Sequence, residues 1–263
     1  MRSELSSVPG TRILALLREE KRGIMLAVIR VVLLLIYLLI FTVPCVLFCL
    51  LRPFHPNLMH LVGRPFSWML FILGLRLEAN VPDSVKSTGS AVYVANHQTA
   101  IDILAIAGVL RPRTVSVGKQ SLAYIPVFGL LFWITGNILI NRSDGKSAAG
   151  TIRQVVKRIT EKQMSVWMFP EGTRSKGRGL LPFKSGAFRV AMKAKVPVVP
   201  VAVSSMDGIG LNKWSNGVIR VEFLEPIDTT DKDIRSLMAD THSLMSAELD
   251  KLNGATEQSD ALA

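Results

Sequence analysis

The chain has 263 residues, 49% of them apolar, with a mean hydropathy of +0.35 and a formal net charge of +11. That length holds one sizeable core plus an appendage, and a wholly soluble enzyme is seldom both this apolar and this basic. Cys45 and Cys49 lie together in an apolar stretch, and His55, His60, His97 and His242 are scattered without ligand-like spacing, which sets aside a disulfide framework and a zinc site.

The charge is unevenly placed. From Glu225 onward nine acids face three bases, so the first 224 residues carry +17. Between Ile103 and Lys195 there are sixteen Lys/Arg against Asp144, Glu161 and Glu171. Such a surface seeks anionic partners: phospholipid, a phosphorylated substrate or an acidic carrier protein. Nucleic acid is not expected, because no aromatic-interleaved basic stripe or reading motif is present.

In chain order, a basic N-terminus (Arg2, Arg12, Arg18, Lys21, Arg22, Arg30) precedes 21 uncharged residues at 31–51, enough to span roughly 30 Å of hydrocarbon. The run is too long for a signal-peptide core and no small-residue cleavage site follows it, so it reads as an anchor. A second apolar segment, 57–75, is interrupted by Arg64 and Pro65. Either the first segment crosses the membrane, or both form a hairpin dipping into one leaflet. The hairpin is favoured, because the basic N-terminus and the basic body both prefer the cytoplasmic side.

Short β-branched runs then alternate with helical patterns. Strands are expected at 76–80, 91–95, 114–117, 137–140, 165–169, 198–203 and 218–224, and helices at 101–109, 121–134, 147–162, 185–195 and 231–252. This alternation predicts an α/β fold, a largely parallel mixed sheet flanked by helices, behind an N-terminal apolar helical anchor. The expected divisions are 1–75 (basic N-terminus and anchoring hairpin), 76–230 (catalytic α/β domain) and 231–263 (C-terminal helix and polar tail).

The strand at 91–95 ends in Asn96-His97-Gln98-Thr99, with Thr99 suited to cap the next helix and Asp102 in its first turn. Five residues apart on one helix, His97 and Asp102 would point about 140° away from each other. With the histidine in the turn, the carboxylate can fold back to a ring nitrogen and leave the other nitrogen as a base. No Gly-x-Ser-x-Gly elbow is present, so the base is expected to act on a hydroxyl brought by a substrate. Asn96-His97, Gly118-Lys119, Asn141-Arg142 and 170–174 each follow a predicted strand, and in a parallel sheet they converge on one edge. The stretch 170–184 places Arg174, Lys176, Arg178 and Lys184 among glycines, a composition that suits phosphate, with Glu171 available to orient Arg174. Walker and dinucleotide patterns are absent.

Together these stretches resemble the glycerolipid acyltransferase family, and within it the bacterial enzymes that acylate lysophosphatidate. NHQTAID (96–102) is similar to the family's His-x4-Asp block, GKQSLAYIPVFG with GNILINR (118–142) to its second block, FPEGTRS (169–175) to its third and VPVVPVAV (196–203) to its fourth. Asn141 departs from the usual Asp of the second block. The resemblance implies transfer of an acyl group from acyl-acyl-carrier-protein or acyl-CoA to the sn-2 hydroxyl of lysophosphatidate, giving phosphatidate without an acyl-enzyme, a metal or a cofactor. It implies His97 and Asp102 as the catalytic dyad, and Arg174 with Lys119 and Arg142 as holders of the phosphate. Asn96, Glu171, Gly172 and Thr173 would shape the site. It also implies residence at the bacterial inner membrane, with the catalytic domain on the cytoplasmic face. A sibling enzyme acting on glycerol 3-phosphate or another lyso-lipid, and a non-catalytic binder of anionic lipid, are the alternatives.

Overall fold

Apolar helix, then βα alternation, then a closing helix is the order observed in the computed structural model, which describes residues 9–140 and 145–261, with side chains over 17–140 and 149–254. Helices α1 (Pro9–Leu51), α2 (Leu58–Ser67) and α3 (Met69–Ile72) lead into β1 (Arg76–Asn80) and α4 (Asp83–Ser87). Then follow β2 (Val92–Ala95), α5 (Asp102–Val109), β3 (Thr114–Lys119), a 3₁₀ turn (Gln120–Tyr124), α6 (Phe128–Ile134), β4 (Ile138–Ile140), α7 (Gly145–Lys162) and β5 (Ser165–Met168). The chain closes with α8 (Gly186–Ala194), β6 (Val198–Val203), β7 (Val218–Phe223) and α9 (Ile234–Ala261).

The seven strands form one sheet in the order β1-β7-β6-β2-β5-β3-β4. Every pairing is parallel except β6 with β7. Strands β2 and β6 are buried along their whole length, as continuous Val/Ala-rich runs should be when helices cover both faces. Nearer the edge, β7 buries alternate residues and β1 is largely exposed.

Two layers of helix cover the sheet. On one face Leu104, Ala105 and Ile106 of α5 and Met69 and Leu70 of α3 pack on Tyr93, Trp167, Val201 and Phe223, with Leu34, Tyr37 and Leu38 of α1 against them. On the other face Val155 and Ile159 of α7, Phe188 and Val190 of α8, and Leu237 and Met245 of α9 pack on Val92, Val94, Val115, Val166 and Val198. Strands β2, β3, β4, β5 and β6 all point the same way, so their carboxyl ends share one edge.

Three expectations change. The N-terminal helix is one continuous element from Pro9, taking in the basic stretch as well as 31–51 and running through Pro44. The helix expected at 121–134 is two pieces, because Pro126 follows an extended Ile125 and Val127 adopts φ +65. Strand β3 runs on through Lys119, so Gly118 and Lys119 are its last residues rather than part of a following loop. The expected phosphate residue Arg142, with Asn141, lies outside the described residues.

Among the described residues one helical stretch, Leu17–Leu51, is long and apolar enough to cross a membrane. Its one buried charge is Arg30, 4% exposed. The guanidinium donates to the carbonyls of Leu211 (3.0 Å), Trp214 (2.9 Å) and Lys213 in the β6–β7 loop. Gly74, at φ +73, leaves room for it: a Cβ there would meet Arg30 Nη2 at 2.5 Å. Further along, the Tyr37 hydroxyl donates to Pro65 O at 2.8 Å, and Cys49 is fully buried against Leu58 and Leu131.

Candidate active site

The site is built where β2 ends. Asn96 is buried and locks to β6: its amide donates to Val203 O (2.9 Å) and its Oδ1 accepts Val203 N–H (2.8 Å). Gln98 extends the seam, donating to Val203 O (3.0 Å) and Ser204 O (2.8 Å) and accepting Met206 N–H (3.2 Å). Sequence reasoning missed Gln98, since its partners are backbone groups more than a hundred residues away.

His97 stands in the turn between these two anchors. Asp102, the first residue of α5, turns back so that Oδ2 accepts Gln98 N–H (2.6 Å), Thr99 N–H (2.9 Å) and the His97 Nδ1 proton (2.6 Å). Its side chain is 0% exposed and that of His97 15%. The carboxylate thus fixes the tautomer with the proton on Nδ1 and the lone pair on Nε2. Thr99, expected to cap the helix, stands two residues before the N-cap position Ile101 and does not cap it; its hydroxyl accepts Ile101 N–H at 3.1 Å instead. Phe169, just past β5, stacks on the imidazole at 4.0 Å between ring centroids and 17° between planes, which holds the ring's orientation.

Glu171 does not orient Arg174. It is 2% exposed, and its two oxygens accept His97 N–H (2.6 Å) and Leu181 N–H (3.2 Å). Burial raises its pKa above the usual carboxylate value, while those two bonds pull the other way. Backbone bonds from Ser175 N–H to His97 O (2.7 Å) and from Lys176 N–H to Gln98 O (3.3 Å) join the 170–184 loop to the histidine turn. The two motifs are therefore one unit. Gly172 adopts φ +70, the left-handed region that favours glycine, and the end of the Lys184 side chain lies against it, 2.9 Å from where a Cβ would stand.

These residues open onto a cavity of about 810 Å³. His97, Phe169, Gly172 and Thr173 line it, together with the cations Lys119, Arg174, Lys176 and Lys184 and no acidic side chain. Its remaining walls are mostly apolar, from Val62 and Phe66 of α2, Ile103 and Ile106 of α5, and Leu131 and Phe132 of α6. Among the described residues the Arg174 guanidinium has no protein partner. Asn96 does not reach the cavity and acts only through the β2–β6 seam. Lys176 and Lys184 join Lys119 and Arg174 there because the positive-φ glycines fold the loop back over the site, a path that residue spacing does not reveal.

Residues 76–204 match the family model described as Acyltransferase. Over 234 residues the chain is 44% identical to the 1-acyl-sn-glycerol-3-phosphate acyltransferase of Escherichia coli, covering 86% of this chain and 96% of that one. It is 34% identical to the human 1-acyl-sn-glycerol-3-phosphate acyltransferase beta, over 79% of this chain and 78% of the human one. The crystal structure of the 1-acyl-sn-glycerophosphate (LPA) acyltransferase PlsC from Thermotoga maritima superposes with a TM-score of 0.72 at 18% identity, covering 89% of this chain and 97% of that one, and so shares the fold. The 44% identity over 96% of the Escherichia coli enzyme, with the matched Acyltransferase model, places the chain in the 1-acyl-sn-glycerol-3-phosphate acyltransferase family.

Proposed function

We propose that the protein transfers a fatty acyl group from a thioester donor, acyl-acyl-carrier-protein or acyl-CoA, to the sn-2 hydroxyl of lysophosphatidate, giving phosphatidate. The observation that carries this reading is the free Nε2 of an aspartate-held histidine in a cavity that pairs four cations with apolar walls. Nε2 takes the hydroxyl proton as the oxygen bonds to the thioester carbonyl carbon. The carbon–sulfur bond then breaks, and the imidazolium returns its proton to the leaving thiolate. Arg174 and Lys119 hold the acceptor's phosphate, for which a guanidinium fork is well shaped. Thr173 and Gly172 form the turn that presents Arg174, and Glu171 holds the backbone of His97. The acyl chain lies along the apolar walls.

The long apolar helix associates the protein with a membrane. The seating we propose is a hairpin of α1 with α2–α3 in one leaflet, at the inner membrane of a bacterium with the sheet domain on the cytoplasmic face. Supporting it, α1 touches the body at Arg30, Tyr37 and Cys49, contacts spread over roughly 29 Å of helix. A helix fastened along that length lies against the domain rather than leaving it to cross a bilayer. Its outward side exposes Leu35, Leu39 and Ile40, and Trp68, Phe71 and Trp133 of neighbouring elements are exposed as well, a surface suited to lipid.

The test is acyl transfer by purified protein in detergent micelles with lysophosphatidate, glycerol 3-phosphate, lyso-phosphatidylglycerol and monoacylglycerol as competing acceptors. Phosphatidate should be the dominant product. Preferential acylation of glycerol 3-phosphate would contradict the proposal and favour the sibling activity.

A further inference from the structure

Helices α7 and α8 pack side by side on the face of the sheet opposite to α1. Their outward sides are cationic: Arg153 and Lys157 on α7 and Arg189 and Lys193 on α8 are all exposed, and Lys195 follows. Between Gly145 and Pro170 the sequence contains a single acid, Glu161, which lies 3.7 Å from Lys157. Next to α8, α9 carries Asp240 and Glu248, each paired with a lysine. Since nine acids face three bases from Glu225 onward, the face has a strongly cationic part and a net acidic part, an asymmetry that fixes the orientation of a charged partner.

A second cavity, of about 250 Å³, lies between these helices at the same sheet edge as the histidine turn. Thr151, Ile152 and Val155 of α7 and Gly186, Ala187 and Val190 of α8 line it. Phe169, Gly172 and Lys184 line both this cavity and the larger one. The two spaces therefore share a wall that includes Phe169, whose ring stacks on His97.

We infer that the α7–α8 face docks an acidic carrier protein, and that the cavity between the two helices admits the flexible arm bearing the acyl thioester. This rests on the acyltransferase reading above and deepens it. A membrane is the other anionic surface that such charge could meet, but the exposed aliphatic side chains of α1 are on the opposite sheet face. A bilayer seated there would have its surface field decay over about 8 Å at physiological salt, less than the width of a helix layer alone, about 10 Å. The cations also cover the outward faces of two helices, an area suited to a protein surface rather than to the nucleotide of coenzyme A.

The test compares the two donors on the full-length protein in micelles, with lysophosphatidate as acceptor. The combined variant Arg153→Glu, Lys157→Glu, Arg189→Glu should raise KM for acyl-carrier-protein about ten-fold or more, through lost steering and rim pairing. KM for acyl-CoA and for lysophosphatidate should stay within about two-fold, which also reports an intact fold. Equal losses on both donors, or none on either, would overturn the docking surface. So would a loss that tracks weaker binding to vesicles of anionic phospholipid. Gly186→Leu probes the route: no atom lies within 4 Å of a Cβ built there, which leaves open space for a side chain that narrows the cavity. It should raise KM for both thioester donors and leave the acceptor KM unchanged; unaltered donor KM values would overturn the route. If the wild type acylates lysophosphatidate from neither donor, the acyltransferase reading falls, and this inference with it.

Discussion

Glu171 is a buried carboxylate that holds the backbone of the candidate site and does not line its cavity. Both of its oxygens are taken by backbone N–H groups, one of them that of His97, so it sets where the histidine stands. Because burial raises its pKa, the folded state binds its proton more tightly than the unfolded chain does. Its contribution to stability is then complete below the unfolded value near 4.5 and is lost as pH rises through the folded value. Melting of wild type against Glu171→Gln in detergent should show the wild type's relative stability falling as pH rises from about 4 and then levelling. A relative stability that instead grows with pH would mean that the two N–H bonds outweigh burial. Arg174 answers a different question, since its guanidinium is free to meet a ligand. Arg174→Ala should cost about 1.5–3 kcal/mol of acceptor binding, roughly 10–150-fold. That loss should appear as a raised KM for lysophosphatidate with the donor KM nearly unchanged, and Arg174→Lys should recover part of it. An equal rise in both KM values would assign Arg174 to the fold or to the donor. The His97–Asp102 pairing was legible because both partners are side chains at a telling spacing. The true partners of Glu171, Asn96 and Gln98 were not, because they are main-chain groups of distant segments that leave no mark on residue type.

Strands β2 and β6 were readable for a physical reason: buried on both faces, they need near-continuous runs rich in Val and Ala, and those runs stand out. The helices were less so. Pro126 divides the 121–134 segment, whose apolar pattern alone continues across the break. Arg30 is the sharper case, since a cation in an apolar helix suggests the end of an anchor, whereas here it fastens that helix to the β6–β7 loop. The same loop region reaches the histidine turn through Met206 N–H to Gln98 Oε1. Arg30→Met should therefore destabilise the protein by about 1.5–3 kcal/mol, as expected for removing charge-assisted hydrogen bonds, and should lower kcat more than either KM. Thermal unfolding in detergent together with kinetics checks both. An unchanged melting temperature would show that α1 is held by its other contacts, the apolar ones and the Tyr37–Pro65 hydrogen bond.

Across the whole molecule, the layers divide the work. Helices α1, α2 and α3 turn an apolar surface outward on one side of the sheet, α7 and α8 turn a cationic surface outward on the other, and the strand ends between them carry His97 and the cation-lined cavity. Such a placement suits a reaction whose acceptor and product reside in lipid and whose donor comes from water. The central claim is that a histidine held by an aspartate removes the acceptor's hydroxyl proton in the transition state. The measurement that tests it most directly is single-turnover acyl transfer by His97→Ala, alongside its affinity for lysophosphatidate. General-base assistance is worth about 10²–10⁴ in rate, so the acyl-transfer rate should fall by at least that much while lysophosphatidate affinity stays within a few-fold. Transfer at a near wild-type rate by His97→Ala would contradict the account.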